Sequence, residues 1–131
     1  AAILNYRIKN LNKIISKRRD NAKFYFKYLD KKNYTLIHEK KYQYNTYHTF
    51  VIQTQKRDKL IKFLKKKGIG TAIHYPIPIH LQPASKYLGY KKGDFPVAEQ
   101  QAKQILTLPI HQNLSKKELG LIVKQLNKFY K

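Results

Sequence analysis

The sequence predicts an α/β fold: an open sandwich in which a small mixed or antiparallel sheet is flanked by helices, with one long helix at the N-terminal end. Three observations lead there. Apolar residues recur at helical spacing through the first 29 positions. Short β-branched and aromatic runs stand at 34–39 and 48–54. Further helical patterns alternate with these runs, as they do where helices are layered on a sheet. At 131 residues the chain suits one domain. A chain of this size buries roughly two-thirds of its unfolded surface, enough for a core of its own.

Residues 1–29 read as one amphipathic helix, because Leu4, Ile8, Leu11, Ile15, Arg18, Ala22, Tyr25 and Leu29 follow one another at spacings of four and three. Ile3 and Ile14 widen the stripe beyond a coiled-coil seam, so it should bury against a domain. Ala1-Ala2 offers no capping side chain, and the segment has the look of a helix already under way, cut from something longer. Residues 34–39 form a short strand candidate, 40–47 a polar, tyrosine-rich loop, and 48–54 a stronger strand. Helix 56–67 turns Leu60, Ile61, Phe63 and Leu64 inward and ends at Gly68, where a left-handed cap is expected.

Residues 69–75 read as a further strand, stopped by Pro76 and Pro78. Irregular turns fill 79–95, with Gly89 and Gly93 as punctuation. Pro96 opens a helix to about residue 105, with Asp94 as its cap, and 106–110 is a short apolar stretch. Ser115-Lys116-Lys117-Glu118 matches a capping box, and Leu119, Ile122, Val123, Leu126 and Phe129 give the last helix its buried face. No internal repeat or low-complexity linker interrupts this order.

Composition excludes several chemistries. Without cysteine there are no disulfides, thiolate metal sites or cysteine nucleophiles. No apolar run reaches the ~20 residues that span a bilayer, and the first residues are not a signal peptide, so a cytoplasmic protein is expected. The formal net charge is +21, enough to attract nucleic acid or acidic membranes. The lysines, however, are spread through every segment, as in a global compositional bias. Lys65-Lys66-Lys67 sits where cations complement a helix C-terminus. A basic nucleic-acid-binding module and a non-catalytic structural or dimerisation domain stand as alternatives to an enzyme.

The segment from Gly68 to Pro83 gathers His74, Tyr75, His80 and Gln82 on proline-stiffened backbone leaving a strand, a good platform for orienting a ligand. His74 can donate to a phosphate or sugar hydroxyl, and Tyr75 offers a ring face and a hydroxyl. The plainer reading turns His74 into the core and His80 to water. The spacing of His74, His80 and His111 fits no compact zinc site. Gly68-Ile69-Gly70 follows a helix and precedes a strand, the reverse of a phosphate-cradling loop, and no serine sits in a nucleophile elbow. The residues alone give a ligand-shaping loop and no catalytic residue.

Read as a motif, the chain resembles the DegT/StrS family of nucleotide-sugar aminotransferases, pyridoxal-phosphate enzymes of fold type I. Ala1-Ala2-Ile3-Leu4 with Arg18-Arg19 and Ala22, His48-Thr49-Phe50-Val51-Ile52, and Arg57-Asp58 carry the likeness, and Gly68-Ile69-Gly70-Thr71 continues it. So do His74-Tyr75-Pro76, Pro78, His80, Gln82-Pro83-Ala84, Phe95-Pro96, Ala98-Glu99, Leu108-Pro109-Ile110-His111 and Glu118. The resemblance implies a small C-terminal domain, 1–30 as linking helix and 31–131 as a small α/β unit, with the cofactor domain and its Schiff-base lysine upstream. It implies pyridoxal 5'-phosphate in the full-length protein and none held by this piece, an amino-acid donor such as glutamate, a nucleotide-linked keto sugar as acceptor, and a homodimer. His74 and Tyr75 would face substrate, His80 and Gln82 being weaker candidates in the same loop, and no catalytic residue falls within these residues. Ser85 departs from the aromatic many relatives place after Gln-Pro-Ala, and Gln112 from the proline that commonly follows Leu-Pro-Ile-His.

Overall fold

The helical periodicity of the first 29 residues produces two helices instead of one. In the computed structural model, which describes residues 1–131, α1 spans Ala2–Ile8 and α2 spans Leu11–Tyr28. The ladder is interrupted at Lys9-Asn10, where the Asn10 N–H bonds to the Arg7 carbonyl at 3.0 Å and its backbone leaves the helical region. Asparagine is a poor helix former, and α1 buries no residue whose packing would override that preference. The stripe is likewise covered only at its end: Ala22, Tyr25 and Leu29 are buried, whereas Leu4, Ile8 and Leu11 are 70%, 65% and 45% exposed.

Three strands form one antiparallel sheet in the order β1-β2-β3, with β1 at Thr35–Leu36, β2 at Phe50–Gln53 and β3 at Ile105–Leu108. The apolar stretch at 106–110 thus begins as a strand, paired in register with β2, Phe50 against Leu108 and Ile52 against Leu106. The strand expected at 69–75 does not form. Its one pairing is a bridge between Ala72 and Thr107, after which Pro76 and Pro78 carry the chain off the sheet edge.

Side chains alternate across a strand, so β2 and β3 have two unlike faces. Phe50, Ile52, Leu106 and Leu108 point into a continuous core of 17 buried residues. Helix α2 adds Ala22 and Tyr25, with Leu29 just past its end; α3 (Arg57–Lys66) adds Leu60 and Leu64; α5 (Lys116–Lys128) adds Leu119, Ile122, Val123 and Leu126. The opposite face, carrying Val51 and Thr107, lies towards α4 (Pro96–Gln104) and the chain between Ile73 and Phe95. That chain contains two 3-10 turns, Ile79–Leu81 and Pro83–Leu88.

Local chemistry fixes the ends. Gly68 takes φ +73°; its N–H bonds to the Lys65 carbonyl and that of Ile69 to the Leu64 carbonyl, both at 3.0 Å, closing α3 in a Schellman motif. The Ser115 Oγ accepts from the Glu118 N–H at 3.2 Å, while Glu118 Oε2 accepts from the Ser115 N–H at 2.8 Å, completing the capping box. Asp94 does not cap α4: Phe95 occupies that position, and the Asp94 carboxylate accepts from the Lys91 N–H at 2.7 Å within the preceding turn.

Polar ties cross the core boundary. The Tyr25 hydroxyl donates to the Pro109 carbonyl at 2.7 Å, and the Asn21 amide donates to the His111 carbonyl at 2.9 Å, binding α2 to the segment after β3. Burial pushes the Tyr25 phenol well above its ordinary pKa. Arg19 grips Glu39 with two bonds of 3.0 and 2.9 Å and reaches the Asn45 carbonyl at 2.7 Å, while Arg18 reaches the Tyr47 and His48 carbonyls. This fork-on-fork contact fastens the tyrosine-rich loop to α2 just before β2 begins. No helix is long and apolar enough to cross a membrane.

Candidate functional site

The far face of the sheet, α4 and the chain after Ala72 enclose a groove of about 660 Å3. Its floor is apolar, with Val51 and Ile105 from the sheet and Ala98 and Ala102 from α4; Tyr75, Ile77, Leu88, Tyr90 and Phe95 form much of its wall. All four residues singled out from the sequence, His74, Tyr75, His80 and Gln82, line it.

They are not equivalent. The bridge at Ala72, with bonds of 3.2 and 2.8 Å to Thr107, delivers the chain to the groove side of β3. There His74 Nδ1 lies 3.0 Å from Thr107 Oγ1, a contact that fixes the ring and leaves Nε2 as the nitrogen not engaged by protein. The His74 side chain is exposed, not buried in the core. Tyr75 follows across a cis peptide, its ring edge-on to His74 with centroids 5.6 Å apart, and is 72% exposed. These two side chains face open solvent along the groove edge.

His80 and Gln82 turn inward. His80 is the buried member of the pair of histidines: its side chain is 8% exposed, and its Nε2 lies 3.1 Å from Glu99 Oε1. The Phe95 ring covers it at 4.7 Å between centroids, and Tyr90 packs edge-on against Phe95 at 5.0 Å. The Gln82 amide donates to the Ile77 carbonyl at 3.3 Å, tightening the turn. His80 Nε2 and the Gln82 amide N–H are therefore engaged within the protein, and both residues shape the wall that Tyr75 edges.

Two residues of the site escaped sequence reasoning. Thr107 is buried and orients His74 from the groove face of β3. Its position on the groove face follows from its register opposite Val51, which no local pattern discloses. Glu99 is 9% exposed and accepts from the Gly93 N–H at 2.7 Å as well as contacting His80. The Gly93 N–H, aided by His80, holds the Glu99 carboxyl below the usual glutamate range despite its burial. Its one sequence signal is an acid in the first turn of a proline-opened helix, which reads equally well as dipole compensation.

The groove offers a cofactor little to hold. No lysine and no carboxylate lines it, and every lysine of the chain is exposed. A pyridoxal ring would find neither a covalent anchor nor an acid for its pyridine nitrogen among these residues, so the groove does not by itself fit that group. No cluster of three histidine, aspartate or glutamate side chains is arranged to hold a metal ion. What the groove can do is present the His74 imidazole and the Tyr75 and Tyr90 phenols above an apolar floor.

A sheet with one sealed face and one groove-forming face, backed by α2, α3 and α5, makes this a small α/β domain open to solvent along one groove. The chain belongs to the DegT/DnrJ/EryC1/StrS aminotransferase family, which it matches over residues 1–127. It is 37% identical over 134 residues to the pleiotropic regulatory protein of Geobacillus stearothermophilus, covering 100% of this chain and 36% of that protein. It is 30% identical to the dTDP-3-amino-3,6-dideoxy-alpha-D-galactopyranose transaminase of Aneurinibacillus thermoaerophilus, covering 98% of this chain and 35% of that one. Its fold superposes on S. venezuelae DesV in complex with a ketimine intermediate, with a TM-score of 0.90, 28% identity, and coverage of 98% and 35%. The chain thus spans about a third of the length of the relatives it matches.

Proposed function

We propose that this chain is the C-terminal portion of a sugar aminotransferase. The whole protein would move an amino group from an amino-acid donor, with glutamate expected, to a nucleotide-linked keto sugar. The observation that carries the reading is the family match across residues 1–127, supported by relatives named for nucleotide-sugar transamination. Pyridoxal 5'-phosphate, bound by the remaining two-thirds of the protein, would supply the electron sink for that chemistry. A homodimer in the cytoplasm is the expected setting, and the isolated chain should not transaminate.

The part given to these residues is orientation. His74, with Nδ1 tied to Thr107, keeps Nε2 free for a sugar hydroxyl or phosphate oxygen. Tyr75 supplies an exposed ring and hydroxyl beside it. The apolar floor of Val51 and Ile105 excludes water from the less polar side of a deoxygenated sugar. His80 and Gln82 serve by shaping the wall.

Full-length protein purified with pyridoxal phosphate tests the reading. A visible cofactor absorption band that bleaches on adding glutamate and returns on adding a nucleotide-linked keto sugar is the expected result. A protein with no such band, or a band insensitive to every amino donor, would remove it.

A further inference from the structure

We propose that Glu99 is the positioning residue of the groove: one carboxylate oxygen locks both ends of the 80–93 loop onto α4 and thereby holds the wall beside Tyr75. Its relevance to substrate rests on the proposed function, whereas the lock itself stands on the geometry.

Glu99 Oε1 accepts from the Gly93 N–H at 2.7 Å and lies 3.1 Å from His80 Nε2. His80 belongs to the first 3-10 turn of the loop and Gly93 closes its last turn, so one atom gathers both ends. Every other hydrogen bond made by residues 77–93 stays within that stretch or reaches only Asp94: Gln82 to Ile77, Lys91 to Asp94, and the backbone bonds of the 3-10 turns. No other polar contact fastens the loop to the sheet or to α4. Apolar packing holds the loop mainly through His80 and Tyr90 on Phe95, since Ile77, Ile79, Tyr87 and Leu88 are 49%, 77%, 85% and 48% exposed.

Burial makes the lock strong. Glu99 is 9% exposed, and a carboxylate so placed stands only if its oxygens are satisfied. Gly93 takes φ +102°, a conformation that side chains rarely adopt, and in it the N–H reaches Oε1. The Gly93 N–H, followed by His80, keeps the carboxyl ionised at neutral pH, so the acceptor is a full anion and the bonds are charge-assisted. Phe95, tilted against the His80 ring at 4.7 Å between centroids, joins the lock to the aromatic end of the groove.

Hydrogen exchange by mass spectrometry on the full-length protein tests the lock directly. In Glu99→Ala, exchange in peptides within 77–93 should rise about tenfold, the scale of losing a charged hydrogen bond, while peptides of α2 and β2 keep their wild-type rates. Glu99→Gln keeps an acceptor but no charge and should give about a threefold rise in the same peptides, which decides the matter if the alanine variant fails to fold. Unchanged exchange in 77–93, or a rise spread equally over α2 and β2, would overturn the proposal. In turnover, Glu99→Gln should raise KM for the keto sugar several-fold with kcat within about twofold, and Glu99→Asp should recover part of the loss. An equal fall in kcat with unaltered KM would contradict a positioning role. If the wild-type protein does not transaminate, the functional reading fails, and the exchange result alone decides the lock.

Discussion

The two faces of the sheet are held by different forces. On one, Phe50, Ile52, Leu106 and Leu108 meet three helices and are at most 3% exposed. On the other, Val51 and Ile105 remain part-exposed, and the covering chain is held by a few polar contacts: the Ala72–Thr107 bridge, Thr107 to His74, and Glu99 to Gly93 and His80. The core face depends on many interchangeable apolar contacts, the groove face on a few specific ones. Substitutions on the first should therefore act on stability, and on the second on recognition.

The largest effect expected on this contrast comes from the core. Leu64 is fully buried where α3 ends, and Leu64→Ala should lower unfolding free energy by roughly 2–5 kcal/mol in denaturant melts. A loss under about 0.5 kcal/mol, the range of surface sites, would mean that the α3 side of the core is not packed as described.

Acid should act next, and on both faces. Arg19 holds the Glu39 carboxyl below its usual range, the Gly93 N–H does so for Glu99, and the Ser115 hydroxyl for Glu118. Each lowered group contributes stability that is complete above the ordinary glutamate value of about 4.3 and is lost as pH falls through the lower folded values. Urea midpoints should therefore hold steady from about pH 7 to 5 and fall below about pH 4.3. Glu39→Gln should flatten part of that fall; a variant with the wild-type slope would assign the loss elsewhere.

The smallest effect belongs to the groove edge. Tyr75 is 72% exposed, and Tyr75→Ala should change stability by no more than about 0.5 kcal/mol. A larger loss would show that the ring supports the fold.

The same contrast explains what the sequence disclosed. Core-face residues of α3 and α5 were legible because helical spacing and caps are local, and Gly68, Ser115 and Glu118 act as read. The N-terminal stripe was legible as a face but not as a covered one: periodicity says which side chains share a side, not whether anything lies over Leu4 and Ile8. The strand at 69–75 failed because its β character required a partner, and β3 offers one residue pair before the prolines turn the chain away. That His74, Tyr75, His80 and Gln82 share one proline-stiffened stretch was visible in the sequence, and that stretch lines the groove. Which histidine faces solvent was not, since that depends on Thr107 and Glu99, brought in from elsewhere by the sheet register and α4.

Kinetics of His74→Ala in the full-length protein test the central claim most directly, namely that this groove edge orients a nucleotide-linked keto sugar. With Nε2 presented to substrate, KM for the keto sugar should rise about tenfold or more, equivalent to ~1.4 kcal/mol, with the melting temperature retained. A His74→Ala enzyme that keeps the wild-type KM and kcat would contradict it.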